Sequence, residues 1–229
     1  MAESPTTGGI RPRAVLLDAF GTLIGIDPPA PRLARLLAAA GAPLPDRVVA
    51  RAFAAEIAHY RANHLRGRDA DSLAALRREC AAVLAAELGP GAPPVDRLAP
   101  MMVASLRFHL LDDAAAFLDD LRARDIPVGL VSNWDTSLRG VLADLGIADR
   151  FSAVCISAEC GAAKPDPRIF QAALAALGVR AAEVVHCGDD PDLDGAGALA
   201  AGITPVIITR GGGPVDPRFR SIRHLSELL

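Results

Sequence analysis

Five short apolar runs, at residues 14 to 20, 127 to 133, 151 to 157, 183 to 189 and 204 to 210, have the length and β-branched content of buried parallel strands. Helical patterns separate the last four: LRGVLADLG, DPRIFQAALAALG and DGAGALAAG, each closing on a glycine suited to a left-handed C-terminal cap. Strict alternation of strand and helix predicts an α/β fold, with five parallel strands covered by helices on both faces. Between the first and second runs the period changes. Residues 27 to 108 read as Ala- and Leu-rich amphipathic helices, broken near Pro43 to Pro45, Gly67 to Asp71 and Gly89 to Pro94. This predicts a helical-bundle cap inserted into the α/β unit, with Leu33, Leu36, Leu37, Val48, Phe53 and Ile57 as bundle core. Phe108, His109 and Leu110 precede the return helix and are expected to act as a hinge. Residues 1 to 12, rich in Ser, Pro, Thr and Gly, are expected to form a flexible tail. The α/β core is then assigned to 13–26 and 109–229, and the cap to 27–108.

Composition narrows the classes of function. A chain of 229 residues, 51% of them apolar, can bury a sizeable core. A net charge of −3, with arginines interleaved among Asp and Glu, argues against a nucleic-acid surface. No apolar span is long enough to cross a bilayer and the N-terminus carries no apolar leader, so a soluble cytoplasmic protein is expected. Cys80, Cys155, Cys160 and Cys187 show no CxxC pairing and no zinc-ligand spacing, and are read as buried free thiols.

In a parallel sheet, ligands bind outside the carboxyl ends of the strands. Asp18 ends the first run, Ser132 and Asn133 the second, and Asp189 the fourth in GDDPDLD, while Lys164 follows the third in GAAKPDP. Each has a structural explanation alone, as a helix cap, a turn residue or a solvated lysine. Four in order on neighbouring strand ends point instead to one site. No GxGxxG follows any strand, which excludes a dinucleotide fingerprint.

DAFGTL, VSNWD, KPDPRIF and GDDPDLDGAGALAAG, taken together, resemble the haloacid dehalogenase superfamily, in the group whose helical cap follows the first strand and most closely its phosphatase-like members. The resemblance runs from Ala14 to Leu229 and implies a Rossmann-like parallel five-stranded sheet core with an inserted helical-bundle cap domain. It implies that Asp18 is a nucleophile forming a covalent aspartyl intermediate, with Thr22 supporting its loop. Ser132, together with neighbouring backbone N–H groups, would bind the nonbridging oxygens of the substrate, with Asn133 and Trp134 beside it. Lys164 would neutralise Asp18 and the transferring group.

The fourth loop adds Asp189, Asp190, Asp192 and Asp194, and like charges about 4 Å apart repel by several kcal/mol at an effective dielectric near about 20. One lysine is too little, so Mg²⁺ is expected, held by Asp18, Asp189 and the main-chain carbonyl of Phe20. Asp194 is expected to order the loop or Lys164, Asp190 to act through water, and Asp192 to be a surface charge.

Phosphatases of this superfamily carry a second Asp two positions after the nucleophile, as general acid and base. Phe20 stands there and can do neither. His59, His64, Tyr60, Arg61 and Arg66 of the cap are the candidate replacements, each set against a solvated helix face. Three readings follow. One is a Mg²⁺-dependent phosphatase of a small phosphorylated metabolite, monomeric or homodimeric, with no nucleic-acid or membrane partner. The second is a 2-haloacid dehalogenase-like hydrolase, in which halide leaves without a proton and an aromatic at position 20 is acceptable. The third is a catalytically silent protein retaining the fold. The acidic fourth loop favours the first.

Overall fold

The computed structural model describes residues 12–213 and 215–229. The expected tail over residues 1 to 12 therefore lies, apart from Pro12, outside the described residues. The chain begins with strand β1 (Ala14–Leu17), a short strand β2 (Ile24–Ile26) and four helices, α1 (Pro29–Ala39), α2 (Asp46–Asn63), α3 (Ala70–Leu88) and α4 (Val95–Ser105). It returns through β3 (Phe108–Leu110) and continues as α5 (Ala114–Ala123), β4 (Val128–Ser132), α6 (Leu138–Asp144), β5 (Ala153–Ile156), α7 (Ser157–Cys160), α8 (Pro167–Leu177), β6 (Val184–Gly188), α9 (Ala196–Ala200), β7 (Thr204–Ile208) and β8 (Arg220–Ile222).

The main sheet is parallel throughout, in the order β5-β4-β1-β6-β7-β8. It has six strands rather than the expected five. The missed strand, β8, is a three-residue edge whose first residue is an exposed arginine, so no apolar run announces it. β1 lies at the centre with every residue buried, pairing Leu17 with Leu130 on one side and Cys187 on the other. Its side chains alternate between two cores, as the pleat requires. Val15 and Leu17 pack with Phe117, Leu118 and Leu121 of α5 and Leu138 and Leu142 of α6. Ala14 and Leu16 pack with Ile169, Phe170 and Ala173 of α8 and Ala198 of α9. α8 ends at Gly178, whose φ of 66° is the left-handed cap expected from the sequence.

Helices α1 to α4 enclose their own apolar cluster, built from Leu33, Leu37, Val49, Phe53, Leu76, Leu84, Leu98 and Met102 among others. α3 starts at a capping box in which the Ser72 amide donates to Asp69 Oδ1 (2.9 Å) and the Asp69 amide donates to Ser72 Oγ (3.1 Å). Of the positions expected in the bundle core, Leu33, Leu37 and Phe53 are buried, and Leu36 and Val48 are half-buried. Ile57 is 37% exposed, so helical spacing assigned it to the wrong face. Phe108, His109 and Leu110 form β3, antiparallel to β2 with Ile24 opposite Leu110 and Ile26 opposite Phe108. The chain leaves for the helices and returns from them through this ribbon. Among the described residues no helix is long and apolar enough to cross a membrane. Cys80, Cys155 and Cys187 are buried free thiols, but Cys160, at the end of the one-turn helix α7, is exposed, against the sequence reading.

Candidate active site

β1, β4 and β6 end side by side, and their ends with the loop after β5 bring Asp18, Ser132, Lys164, Asp189 and Asp194 together as the sequence order required. Asp18 is 4% exposed. Lys164 Nζ donates to Asp18 Oδ1 at 2.5 Å and to Asp194 Oδ1 at 2.6 Å. Ser132 Oγ and Thr22 Oγ1 donate to Asp18 Oδ1 and Oδ2 over long, weak contacts of 3.4 Å each. The turn after Asp18 is closed by Gly21 N–H to Ile24 C=O and by Leu23 and Ile24 N–H to Ala19 C=O. The Phe20 carbonyl takes no part in these bonds and stays available as a ligand.

Asp189 lies against this turn. A Cβ on Gly21, whose φ is +83°, would sit 2.1 Å from Asp189 Oδ2, so only glycine lets the Asp18 loop and the fourth loop approach this closely. Oxygens of Asp18, Asp189 and Asp194 all fall within 4.8 Å of one another. Asp194 is not free to ligate: its Oδ1 accepts from Lys164 and from His186 Nε2 (2.8 Å), and its Oδ2 from the Asp190 amide (3.2 Å). That leaves Asp18 and Asp189 as hard oxygen donors.

The electrostatics follow from three carboxylates sharing one ammonium. Burial pushes Asp18 up; Lys164 pulls it down, but Asp194 and Asp189 push the same way as burial and the result lies above the usual carboxylate range. Asp189, though exposed as a residue, loses water from its carboxyl to the surrounding walls and faces Asp194, which together push it up to about 6. Burial also opposes the charges of Asp194 and Lys164, yet their mutual contact, with His186 on Asp194 and Asp18 on Lys164, lowers the acid and raises the base. Two hard carboxylates that both resist ionising are a donor set a divalent cation fits, because the cation removes the repulsion that raises them.

Other expected residues take different places. Asn133 uses its amide on the lysine loop: Nδ2 donates to Lys164 C=O (3.0 Å) and Oδ1 accepts from the Lys164 amide (2.7 Å). It positions Lys164, whereas the sequence reading gave it to substrate. Trp134, also expected beside substrate, is 8% exposed within the sheet-side core, its ring against Phe108 at 5.2 Å and Phe20 at 6.3 Å. Asp190 Oδ1 caps the turn at Pro191–Gly195 by accepting from the Asp192 and Leu193 amides. Asp192 pairs on the surface with Arg218.

Of the cap candidates for the missing acid, Arg66 is held by Glu79 in a two-bond pair, and His59 lies 3.8 Å from the same carboxylate. Arg61 is exposed. The Tyr60 hydroxyl accepts from the Asp135 amide (3.4 Å), and burial, reinforced by Asp135, pushes its pKa up, which makes it a poor acid. His64 Nδ1 faces the Arg61 carbonyl at 2.9 Å.

Two contributors were missed. His186, in the middle of β6, reaches Asp194; a lone polar residue in the run VVHCG was the available signal. Arg210 Nη2 donates to Thr22 C=O (2.8 Å) and Asp113 Oδ1 (2.6 Å), tying the Asp18 loop to the start of α5; nothing in its sequence setting marks it.

A carboxylate-centred site at the carboxyl edge of a parallel sheet, with a helical insertion after the first strand, defines a class of α/β proteins. A sequence model of the family described as haloacid dehalogenase-like hydrolase matches residues 12–202, and the chain belongs to that family. It is 43% identical over 123 residues to a phosphoserine phosphatase of Thermus thermophilus, covering 53% of this chain and 49% of the relative. The chain spans about half the length of the curated relatives it matches. Among solved structures it is similar in fold to a HAD phosphatase from Thermococcus onnurineus (TM-score 0.63, 24% identity, 94% of this chain and 95% of that one). It is similar in fold also to L-2-haloacid dehalogenase from Xanthobacter autotrophicus (TM-score 0.68, 24% identity, 94% and 96%). Fold alone does not separate the two chemistries.

Proposed function

We propose that the protein is a Mg²⁺-dependent phosphatase of a small phosphorylated metabolite, working through a phosphoaspartate on Asp18. One observation carries this reading: the Asp189 carboxylate lies across Gly21 from the nucleophile loop, supplying with Asp18 two hard oxygen ligands that dehalogenation does not need. Bound through Asp18, Asp189 and the Phe20 carbonyl, Mg²⁺ would supply charge neutralisation and polarise a phosphoryl oxygen.

The chain's own residues do the rest. Asp18 attacks phosphorus, its carboxylate oxygen forming the new O–P bond as the ester P–O bond breaks. Lys164 offsets the charge gathered on Asp18 and on the phosphoryl oxygens, and Ser132 donates to one of those oxygens. Water then attacks the phosphoaspartate, releasing phosphate and restoring Asp18. Phe20 cannot protonate the leaving oxygen, so the reaction favours substrates whose leaving group departs as an anion. The helical insertion, residues 27–108, is assigned as the cap that selects substrate over the core at 13–26 and 109–229. Three buried free thiols suit a reducing cytoplasm.

The exposed Phe20 ring, edge-on to Trp134, is the observation that favours the second reading, a 2-haloacid dehalogenase-like hydrolase. Purified protein is expected to release phosphate from an activated aryl phosphate only with Mg²⁺, and Asp18→Asn to lower this by more than about 10³-fold. Metal-independent halide release from 2-chloropropionate, without phosphate release from any metabolite, decides for the dehalogenase. Inactivity in both assays with no Mg²⁺ binding by titration decides for a silent protein.

A further inference from the structure

Lys164 stands between two carboxylates at nearly equal distance, 2.5 Å from Asp18 and 2.6 Å from Asp194. Catalysis needs the ammonium on Asp18 and the transferring group, so something must weaken the claim of Asp194. His186 is placed to do this. Its Nε2 lies 2.8 Å from Asp194 Oδ1, the oxygen that also accepts from Lys164, and the Asp190 amide serves Oδ2 at 3.2 Å. The imidazole is fully buried and stands edge-on to Phe170, with ring centroids 5.0 Å apart at 85°.

Among the described residues Nδ1 has no partner. A histidine kept for packing would gain from being leucine or phenylalanine, because a buried ring nitrogen without a hydrogen bond carries a desolvation cost. What histidine supplies here that an apolar side chain cannot is the N–H to Asp194. His186 and Asp194 are both fully buried, so the surface offers no other donor in its place.

We propose that His186 is a positioning residue: through its hydrogen bond to Asp194 it holds the Lys164 ammonium on Asp18. Its kinetic consequence rests on the phosphatase reading, while its structural consequence does not.

The test has three parts. In the wild-type protein, long-range ¹H–¹⁵N spectra should show His186 protonated at Nε2; a proton on Nδ1 alone overturns the proposal without any variant. Metal-free crystal structures of His186→Leu and His186→Phe should show Lys164 Nζ drawn off Asp18 towards Asp194. His186→Gln, whose amide nitrogen can take the place of Nε2, should keep the contact. An unchanged Lys164 in the leucine and phenylalanine variants overturns it.

In turnover, the two apolar variants should lose about tenfold or more in kcat with KM and the Mg²⁺ requirement unchanged, and the glutamine variant should recover most of the loss. Equal losses in all three, following their Tm, mark a structural role and also overturn it. A wild-type protein without phosphatase activity removes the proposed function, and the spectra and crystal structures still decide the role of His186.

Discussion

At the carboxyl edge of the sheet the Lys164 side chain is 3% exposed and lies within hydrogen-bond reach of two carboxylates. On the helical bundle Arg66 meets Glu79 at the same 2.6 Å, but with 54% of its side chain in solvent. Distances are alike and consequences are not. Water screens the second pair, and side-chain entropy cancels most of its attraction. At the sheet edge no solvent can take over from a missing partner, so each group depends on its neighbours. On the bundle Arg51, Arg66 and Arg78 each meet a single carboxylate at the surface, whereas the sheet edge crowds three carboxylates around one lysine. The proposed bond-making chemistry therefore falls at the sheet, where charge is buried and unbalanced.

This contrast can be tested most severely by Lys164→Ala. It leaves Asp18 and Asp194 buried without their shared cation and should cost about 3 to 5 kcal/mol in urea unfolding, along with turnover. A loss within error of zero would mean the cluster is far wetter than its burial implies.

Phe20→Asp sharpens the comparison by placing a proton donor at the sheet edge. Turnover of an unactivated alkyl phosphate should rise about 10²-fold, and that of an aryl phosphate much less. An equal rise for both substrates would show that the leaving group's proton does not limit the reaction.

Asp18 and Asp189 both titrate above their ordinary values in the folded chain, Asp189 at about 6, against 3.8 for each when unperturbed. A carboxyl raised by folding adds stability that is complete below its unfolded value and is lost as pH rises through its folded value. Asp194, lowered, works in the opposite sense, but its window lies below pH 3.8. Metal-free protein should thus melt a few degrees higher at pH 5 than at pH 7. Mg²⁺, which needs both carboxylates ionised, should remove that difference in a calorimetric scan by favouring the higher pH.

The smallest effect belongs to the bundle: Arg66→Gln should leave Tm within about 1 °C by the same calorimetry. A larger drop would mean that its surface pairs carry more than the comparison allows.

Much of the fold could be read from residue order alone, because a strand buried on both faces has to be apolar and a helix that ends in a left-handed turn favours glycine. β8 could not, since an edge strand of three residues faces solvent and needs no such run. For the site, the meeting of Asp18, Ser132, Lys164 and Asp189 followed from their shared place at strand ends. What each neighbour touches depended on side-chain direction, which spacing leaves open. Asn133 turned to the lysine loop and Trp134 into the core for that reason. His186 showed only as a lone polar residue in an apolar run, a signal that does not separate a packed imidazole from a bonded one.

The β2–β3 ribbon has a consequence for how such a chain can change over time. Its two strands run side by side, with paired Cα atoms about 5 Å apart, and everything from Asp27 to Arg107 enters and leaves through that one gap. A segment of any length whose two ends meet at this spacing can be spliced in without altering the order of the six sheet strands. Recombination at the ribbon would exchange the whole helical insertion as a cassette, leaving the residues around Asp18 unedited.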